Sequence, residues 1–271
     1  MSSLKSTVQA LGRRLGISIE YRTGFKVFPR RKFEPPKWCT PVGPGDYIAL
    51  GDEFLKVFRD LGGLRPTDRV LDIGCGTGRL ARPLTTFLTT GTYDGLDVVA
   101  SSITWCRQTY ARNDKRFHFH HTNAYNKAYN PQGTFPSSAY RFPFPDASFD
   151  FIFLTSVFTH MLPADLEHYL DEIARVLAPG GRCLMTWFLL DDESRRQMVD
   201  NGPVFNFQHA LPGCYVSNAE VPEGAVAYDE TRMRALVAAR SLRILEPIHR
   251  GTWRRGQSDG VGLQDVVVVQ R

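Results

Sequence analysis

Short apolar runs alternate along the chain with longer segments whose apolar residues recur at helical spacing. The strand-like runs are 69–73 (RVLDI), 92–98, 117–122, 148–156 and 182–190, and helix-like segments lie between them at 77–88, 101–112 and 164–177. A further helix is expected over 46–61, where Gly62-Gly63 provides a stop. A helix over 228–240 precedes two last strand-like runs, 242–248 and 263–270. This alternation predicts a parallel sheet covered by helices.

Three segments interrupt the alternation. Residues 17–44 mix aromatic, basic and proline residues, which excludes a long helix and predicts an extended arm or lid; a short amphipathic helix over 4–15 precedes it. Residues 123–147 form a long polar loop that we expect to shape a substrate site, and 191–227 are expected to be a second, irregular insertion. We therefore predict an N-terminal arm, 1–45, and one domain, 46–271, with insertions near 123–147 and 191–227.

The formal net charge of +5 comes from the N-terminal arm. Residues 1–38 contain four lysines and five arginines against two glutamates, so the arm is suited to contact phosphates, an acidic substrate or an anionic membrane surface. The sequence has neither an apolar stretch of about 20 residues nor a signal-peptide core. Five cysteines are widely spaced and form no C-x-x-C pair: Cys39, Cys75, Cys106, Cys183 and Cys214. These features predict a cytoplasmic protein with reduced thiols.

A glycine-rich turn follows the first strand of the predicted domain. Gly74, Gly76 and Gly78 stand between a strand and a helix, where glycine lets the backbone approach a nucleotide closely. The spacing fits both a dinucleotide site and an S-adenosylmethionine site. Asp72 would repel a pyrophosphate and attract a sulfonium and an ammonium group, and Asp97 ends the second strand where a carboxylate can accept hydrogen bonds from ribose hydroxyls. The charges favour S-adenosylmethionine, and an NAD(P)-dependent oxidoreductase remains the alternative.

Three stretches resemble the class I S-adenosylmethionine-dependent methyltransferases. They are VLDIGCGTGRLARPL (70–84), YDGLDVV (93–99) and the run 141–188, which contains FDFIFLTSVFTHM and ends in the turn APGG and the strand after it. The resemblance implies a Rossmann-like, doubly wound α/β fold with a mainly seven-stranded sheet and an antiparallel last strand. It also implies that S-adenosyl-L-methionine is the cofactor and that the protein is an enzyme.

The resemblance further implies which residues bind the cofactor. Asp72 lies near the methionine amino group and Asp97 near the ribose, while Thr155 and Ser156 face the methionine part. Asn123-Ala124 stand beside the adenine, where the family often has an acidic residue. Tyr47 and Gly51 resemble an aromatic cover and a close-approach site. The predicted cofactor-binding residues are Tyr47, Asp72, Gly74, Cys75, Gly76, Gly78, Asp97, Val98, Asn123, Ala124, Thr155 and Ser156.

One histidine is the candidate catalytic residue. His160 follows the fourth strand where the substrate pocket of such enzymes opens, and a neutral imidazole can accept a proton from a hydroxyl; packing is the alternative role. His209 is a weaker candidate. His118, His120 and His121 are expected to be structural, and no metal site is predicted, since Asp191-Asp192 is better explained as a pair of surface carboxylates.

The sequence restricts the methyl acceptor only partly. It lacks the Asn/Asp-Pro-Pro-Tyr motif, which disfavours adenine and glutamine methylation. We expect transfer to a hydroxyl of a small molecule, a sugar or a glycan. The alternatives are an RNA or protein methyltransferase that uses Arg30-Arg31-Lys32, although nucleic acid is not favoured, and a non-catalytic cofactor-binding module. The sequence does not predict the oligomeric state.

Overall fold

The computed structural model describes residues 17–20, 26–29, 33–35, 45–127, 129–200, 205–254 and 258–271. The helix expected over 4–15 lies outside them. The helices are α1 Tyr47–Asp60, α2 Ala81–Phe87, α3 Ala100–Cys106, α4 Pro163–Val176, α5 Asp192–Asp200 and α6 Glu230–Ala238. The strands are β1 Ile17–Glu20, β2 Lys26–Pro29, β3 Arg69–Ile73, β4 Thr92–Asp97, β5 Phe117–His121, β6 Ala124–Tyr125, β7 Phe135–Pro136, β8 Phe149–Leu154, β9 Leu177–Trp187, β10 Leu189–Leu190, β11 His209–Leu211, β12 Cys214–Val216, β13 Val226–Asp229, β14 Arg243–Ile244 and β15 Asp265–Gln270.

A seven-stranded sheet with the order β14-β15-β9-β8-β3-β4-β5 forms the centre of the domain. The pairs β3–β4, β4–β5, β3–β8 and β8–β9 are parallel, and β15 runs antiparallel to both of its neighbours. The strand order reverses beside β3, which leaves a crevice at the carboxyl ends of the strands. The predicted Rossmann-like fold and its antiparallel last strand are confirmed.

Alternating residues of the strands separate two hydrophobic cores. On β8, Ile152 and Leu154 belong to the core that α4 covers, whereas Phe151 and Phe153 belong to the core beneath α1, α2 and α3. Both faces of the sheet are therefore buried, and strands buried on both faces are continuous apolar runs in the sequence. This explains why the period-two pattern is weak in 148–156 although the strand is real.

The helix before the first sheet strand begins and ends as the sequence predicts. The Asp46 side chain accepts hydrogen bonds from the backbone N–H groups of Ile48 and Ala49, an N-cap that satisfies two otherwise unpaired donors. Gly63, at φ 71°, ends the helix in a left-handed conformation that glycine tolerates. The cap and the stop fix where α1 approaches the glycine-rich turn.

The strand β9 begins earlier than expected. It starts at Leu177 rather than at Arg182, and its pairing with β8 shifts register between Phe149 and Phe151. The tetrapeptide APGG, 178–181, takes up this irregularity, with Gly180 at φ 79°. Four residues of β9, 178–181, thus stand opposite the single residue Asp150 of β8, and the turn predicted from APGG is an irregularity within the strand.

The insertion at 191–227 is more regular than predicted. Its described part contains α5, β11 and β12, and the sheet order β10-β13-β12-β11 joins these strands to their flanks. A third core supports this small sheet through Phe188, Phe207 and Trp253. The expectation of an irregular segment was wrong, because strands of two to four residues are too short to show a period in the sequence.

Part of the N-terminal arm contacts the domain. β1 and β2 form an antiparallel pair, and the Phe33 ring stacks on Tyr110 with 5.3 Å between centroids. The Tyr110 hydroxyl in turn donates to the Gly78 carbonyl over 3.0 Å, so the arm reaches the neighbourhood of the glycine-rich turn. Whether the arm acts as a lid stays a prediction. In the described ranges, no helix is long and apolar enough to cross a membrane.

Candidate functional site

A cavity of about 910 Å³ opens at the carboxyl ends of β3, β4 and β8. Nine of the thirteen predicted site residues line it: Asp72, Gly74, Cys75, Gly76, Asp97, Val98, Thr155, Ser156 and His160. They come from three neighbouring strands and the segments that follow them. Because the ends of parallel strands meet at one edge of the sheet, residues up to 88 positions apart share this site.

Three glycines give the turn after β3 its shape. Gly74, Gly76 and Gly78 have φ values of 82°, 52° and 80°, which glycine adopts without strain. The N–H groups of Gly74 and Cys75 donate to the Leu96 carbonyl over 2.8 and 3.0 Å, and these bonds tie the turn to β4. The turn is thus held open toward the cavity by its own strand pair.

Asp97 connects the glycine-rich turn to the segment after β4. Its two carboxylate oxygens accept hydrogen bonds of 2.7 Å from the N–H groups of Gly76 and Val99. Burial raises the pKa of Asp97, and these backbone bonds oppose the rise. Each oxygen keeps a second lone pair, so the carboxylate can still accept from the hydroxyls of a bound sugar.

Asp72 is a buried carboxyl that also lines the cavity. Its side chain accepts a 2.6 Å hydrogen bond from the Tyr93 hydroxyl, and the residue is 1% exposed. Burial raises the pKa of Asp72 to about 8, and the nearby charge of Asp97 adds to the rise, while the Tyr93 bond opposes it. Neither of these two neighbours is cationic, so a positively charged ligand group would relieve an unfavourable site.

Four predicted cofactor-binding residues are not among those that line the cavity. Tyr47 is buried and its hydroxyl donates to the Thr77 carbonyl over 2.9 Å, so it supports the glycine-rich turn from below. Gly78 faces Tyr110, because a Cβ there would lie 2.6 Å from that ring. Gly51 likewise gives α1 close approach to the turn, since its Cβ would lie 2.7 Å from the Arg79 carbonyl oxygen.

The other two lie where an adenine was expected. The Asn123 amide bonds to Thr134 and Asn130 within the 123–147 insertion, and Ala124 is fully buried on β6. Thr122, one position earlier, lines the cavity instead. Asn123 does not line the cavity because its amide bonds to residues of its own insertion.

The end of β8 is held by polar contacts that the sequence did not indicate. Ser156 has φ 57°, and its N–H donates to Thr186 Oγ1 over 2.7 Å. Its hydroxyl donates to Gln264 Oε1 over 3.0 Å, and Gln264 donates to Thr159 Oγ1 over 3.4 Å. Thr186 and Gln264 both line the cavity. Their positions depend on β9 pairing with β8 and on β15, which Gln264 precedes, pairing with β9, and no local pattern reveals these pairings.

His160 lies in a short 3₁₀ turn, Phe158–His160, and is among the residues that line the cavity. Nδ1 is 2.8 Å from the backbone oxygen of Glu223, in the 191–227 insertion. A carbonyl oxygen only accepts, so Nδ1 carries the proton of this bond, and in the neutral ring Nε2 keeps its lone pair. The Tyr129 ring packs edge-on against the imidazole, with 6.1 Å between centroids.

The other candidate histidines and the acidic pair are not among the residues that line the cavity. His209 is exposed on β11 and does not line the cavity. His118 and His120 both contact Asp94, while His121 contacts the Val98 carbonyl from the opposite face, as strand alternation requires. Asp191 is partly buried and pairs with Arg254 over 2.8 Å, so it is not the surface carboxylate that the sequence suggested. No cluster of metal-ligating side chains occurs within the described ranges.

This arrangement fits S-adenosylmethionine. The ligand carries an ammonium and a sulfonium group, which would favour the ionised forms of Asp72 and Asp97, two carboxyls whose pKa values burial raises. It carries no phosphate that those carboxyls would repel. The glycine-rich turn exposes its backbone to the same space, and the cavity is large enough for a ligand of this size with an acceptor beside it.

Comparison with known sequences agrees with this fit. A family described as a methyltransferase domain matches residues 71–185. The demethylmenaquinone methyltransferase of Deinococcus radiodurans is 30% identical over 185 residues, which cover 65% of this chain and 68% of that protein. The 27-O-demethylrifamycin SV methyltransferase of Amycolatopsis mediterranei is 34% identical over 47% of this chain and 41% of its own length. The fatty-acid O-methyltransferase of Mycolicibacterium smegmatis is 35% identical over 44% and 36%. The chain therefore spans about half or less of these last two relatives.

Solved structures share the fold. A methyltransferase of Methanosarcina mazei superposes with a TM-score of 0.50 at 20% identity, covering 78% of this chain and 96% of its own. A protein of Pyrococcus horikoshii gives a TM-score of 0.55 at 16% identity, with 86% and 94% covered. At such identities the likeness concerns the fold alone, whereas the Deinococcus relative matches over two thirds of its length. The chain belongs to the class I S-adenosylmethionine-dependent methyltransferases.

Proposed function

We propose that the protein transfers a methyl group from S-adenosylmethionine to a hydroxyl of an uncharged small molecule, with His160 as the general base. The observation that carries the proposal is the bond from His160 Nδ1 to the Glu223 carbonyl, 2.8 Å long. It leaves the lone pair on Nε2 of a residue that lines the same cavity as Asp72 and Asp97. A neutral hydroxyl that acts as the nucleophile benefits from a base of this kind.

The cofactor supplies an electrophilic methyl group on a sulfonium. The chain supplies position and proton transfer: Asp72, Asp97 and the glycine-rich turn hold one end of the cavity, and His160 accepts the proton of the acceptor hydroxyl at Nε2. The Glu223 carbonyl then stabilises the imidazolium through the Nδ1 bond. Holding the acceptor in line with the methyl group contributes several kcal/mol to the lowering of the barrier.

The charges of the lining support an uncharged acceptor. The charged residues of the described lining, histidine aside, are Glu53, Lys56, Asp72, Arg79 and Asp97. All of them come from α1, β3, the glycine-rich turn or β4. The part built by the end of β8 and by residues 260–264 is lined by uncharged residues and His160. An acceptor rich in phosphates, such as RNA, would need cationic partners there, so the RNA alternative has no support from the described lining.

The names of two relatives support oxygen as the methylated atom. One relative is a 27-O-demethylrifamycin SV methyltransferase and another a fatty-acid O-methyltransferase. Their shared feature is an oxygen acceptor on a small molecule. We extend that feature to this chain as part of the proposal, because His160 offers the proton acceptor that a hydroxyl needs.

The test is release of S-adenosylhomocysteine from S-adenosylmethionine with a panel of phenols and alcohols. His160→Asn keeps an amide donor for the Glu223 carbonyl but removes the proton acceptor. We expect kcat to fall by at least about 100-fold, with the Kd for S-adenosylhomocysteine changed by less than about twofold. His209→Asn is the matched control, since His209 is exposed and outside the cavity lining. Full activity of folded His160→Asn would refute the assignment of the base.

A further inference from the structure

The largest exposed apolar side chains in the described residues are Tyr125, Tyr129, Val221 and Leu263, with exposed fractions of 45, 41, 42 and 43%. Single exposed apolar residues need no explanation. Two of these, however, also line the cavity: Tyr129 from the 123–147 insertion and Leu263 from the segment before β15. We call Tyr129 and Leu263 the apolar rim.

The backbone holds the apolar rim in place. The Tyr129 N–H donates to Asn126 Oδ1 over 2.9 Å, and a bridge between Asn126 and Asn130 closes the turn around it. The Leu263 carbonyl accepts from the Trp253 N–H over 2.9 Å, and Trp253 is fully buried. These contacts make the exposure of both side chains a built feature of the site.

The rim continues into the interior as an apolar wall. The Tyr129 ring packs against His160, and Val261, Met161 and Phe205 line the cavity together with it. Val221 immediately precedes the turn whose Glu223 carbonyl bonds to His160, but it does not line the cavity. Apolar lining residues thus lie both beside the proposed base and at the solvent-exposed rim.

From this continuity we propose that the acceptor is amphipathic: a hydroxyl on an extended apolar body, with the hydroxyl at His160 and the body leaving the cavity across the apolar rim. The inference rests on the proposed function and adds the substrate class. A compact polar acceptor, such as a free sugar, would leave Tyr129 and Leu263 in water and gain nothing from them. An apolar body removes their surface from water in proportion to the area that it covers.

Binding of phenol and 4-hexylphenol to the protein saturated with S-adenosylhomocysteine tests the inference by calorimetry. We expect 4-hexylphenol to bind at least about tenfold more tightly than phenol, because its added methylenes are covered by the rim. The double variant Tyr129→Ser, Leu263→Ser should lose most of this ratio. Tyr125→Ser is the matched control, since Tyr125 is as exposed as Tyr129 but does not line the cavity; it should keep the ratio.

Each outcome decides between the two proposals. Equal affinity for the two phenols, no binding of 4-hexylphenol, or an unchanged ratio in the double variant would overturn the amphipathic acceptor. Membrane docking would replace the amphipathic acceptor if two results were found together. The wild type but not the double variant would sediment with anionic phospholipid vesicles, and affinity would not differ between phenol and 4-hexylphenol. Retained chain-length dependence without release of S-adenosylhomocysteine from S-adenosylmethionine would instead overturn transfer to a phenolic oxygen and leave the apolar recognition intact.

Discussion

Burial raises the pKa of Asp72 to about 8, so near neutral pH the unliganded protein favours the protonated carboxyl. The protonation of Asp72 can be tested by measuring the affinity for the cofactor at a series of pH values. A ligand that brings an ammonium and a sulfonium group beside Asp72 favours the ionised carboxylate and lowers its pKa. Binding and loss of the Asp72 proton are therefore coupled.

The sign of the coupling follows from linkage. Affinity for S-adenosylmethionine should rise with pH from the lowered pKa of the complex up to about 8, by at most about tenfold per pH unit, and then level off. The unliganded protein responds in the opposite direction. Its pKa is raised, so the stabilisation by the bound proton is complete below the unfolded value, 3.8, and is lost as the pH rises through about 8. A pKa rise of that size lowers the free energy of unfolding by on the order of 5 kcal/mol between pH 3.8 and pH 8.

Calorimetric titration across this pH range, in two buffers with different ionisation enthalpies, measures both the affinity and the protons released. The amino group of the ligand titrates in the same range, so the comparison is made with Asp72→Asn, which keeps the shape and has no proton to lose. The ratio of wild-type to variant affinity should rise with pH, and the melting temperature of the unliganded variant should depend less on pH above about 5. A ratio that is independent of pH would refute the assignment of Asp72 as the coupled group.

Further predictions concern the turn and its surroundings. Asp97→Asn must place an amide N–H against one of two backbone donors now at 2.7 Å, so the affinity for S-adenosylhomocysteine should fall by about 10- to 100-fold in calorimetry, with the fold retained. Gly78→Ala puts a methyl 2.6 Å from Tyr110, and denaturant unfolding should show a loss of about 1–3 kcal/mol beyond that of Gly180→Ala, whose φ is similar and whose Cβ meets nothing. Phe33→Ser removes the stacking on Tyr110; unchanged turnover and ligand affinity would contradict a lid role for the arm. NADH at micromolar concentration should not displace S-adenosylhomocysteine, since its pyrophosphate would add negative charge beside Asp72 and Asp97, whose ionisation burial already disfavours; displacement would revive the oxidoreductase alternative.

The sequence predicted the central sheet well because its signals are local. The strand 69–73 was predicted to the residue, and α1 within one residue at each end, since an Asp46 cap and a Gly62-Gly63 stop are legible without tertiary contacts. The positions of Asp72 and Asp97 at the cavity followed from one topological rule, that parallel strands end at the same edge. The predicted parallel strands were therefore enough to place the cofactor-binding residues Asp72 and Asp97 at the same cavity.

The acceptor half was not predictable in the same way. Thr186, Gln264 and Leu263 reach the cavity because β9 pairs with β8 and β15 pairs with β9, and nothing within their own segments indicates that order. The Glu223 carbonyl belongs to an insertion whose strands are too short to show a pattern, yet it decides which nitrogen of His160 holds the lone pair. A backbone acceptor leaves no trace in residue identity, so the sequence could name the histidine but not its tautomer.

Some residues of the glycine-rich turn motif border the cofactor cavity, and others only support the shape of the turn. Gly74 and Gly76 border the cavity. Gly78 instead packs against the Tyr110 ring, which leaves no room for a Cβ, and Tyr47 donates a hydrogen bond to the Thr77 carbonyl. All four lie in or against a single turn, and their spacing is equally compatible with a role in packing or in binding. Substitution of Gly78 should therefore act on stability first and on the cofactor only through the shape of the turn, whereas substitution of Asp97 acts on both at once, because its two oxygens face the turn and the ligand space together. The motif specifies a surface for the cofactor only when α1 and the arm residue Phe33, through Tyr110, support it from behind.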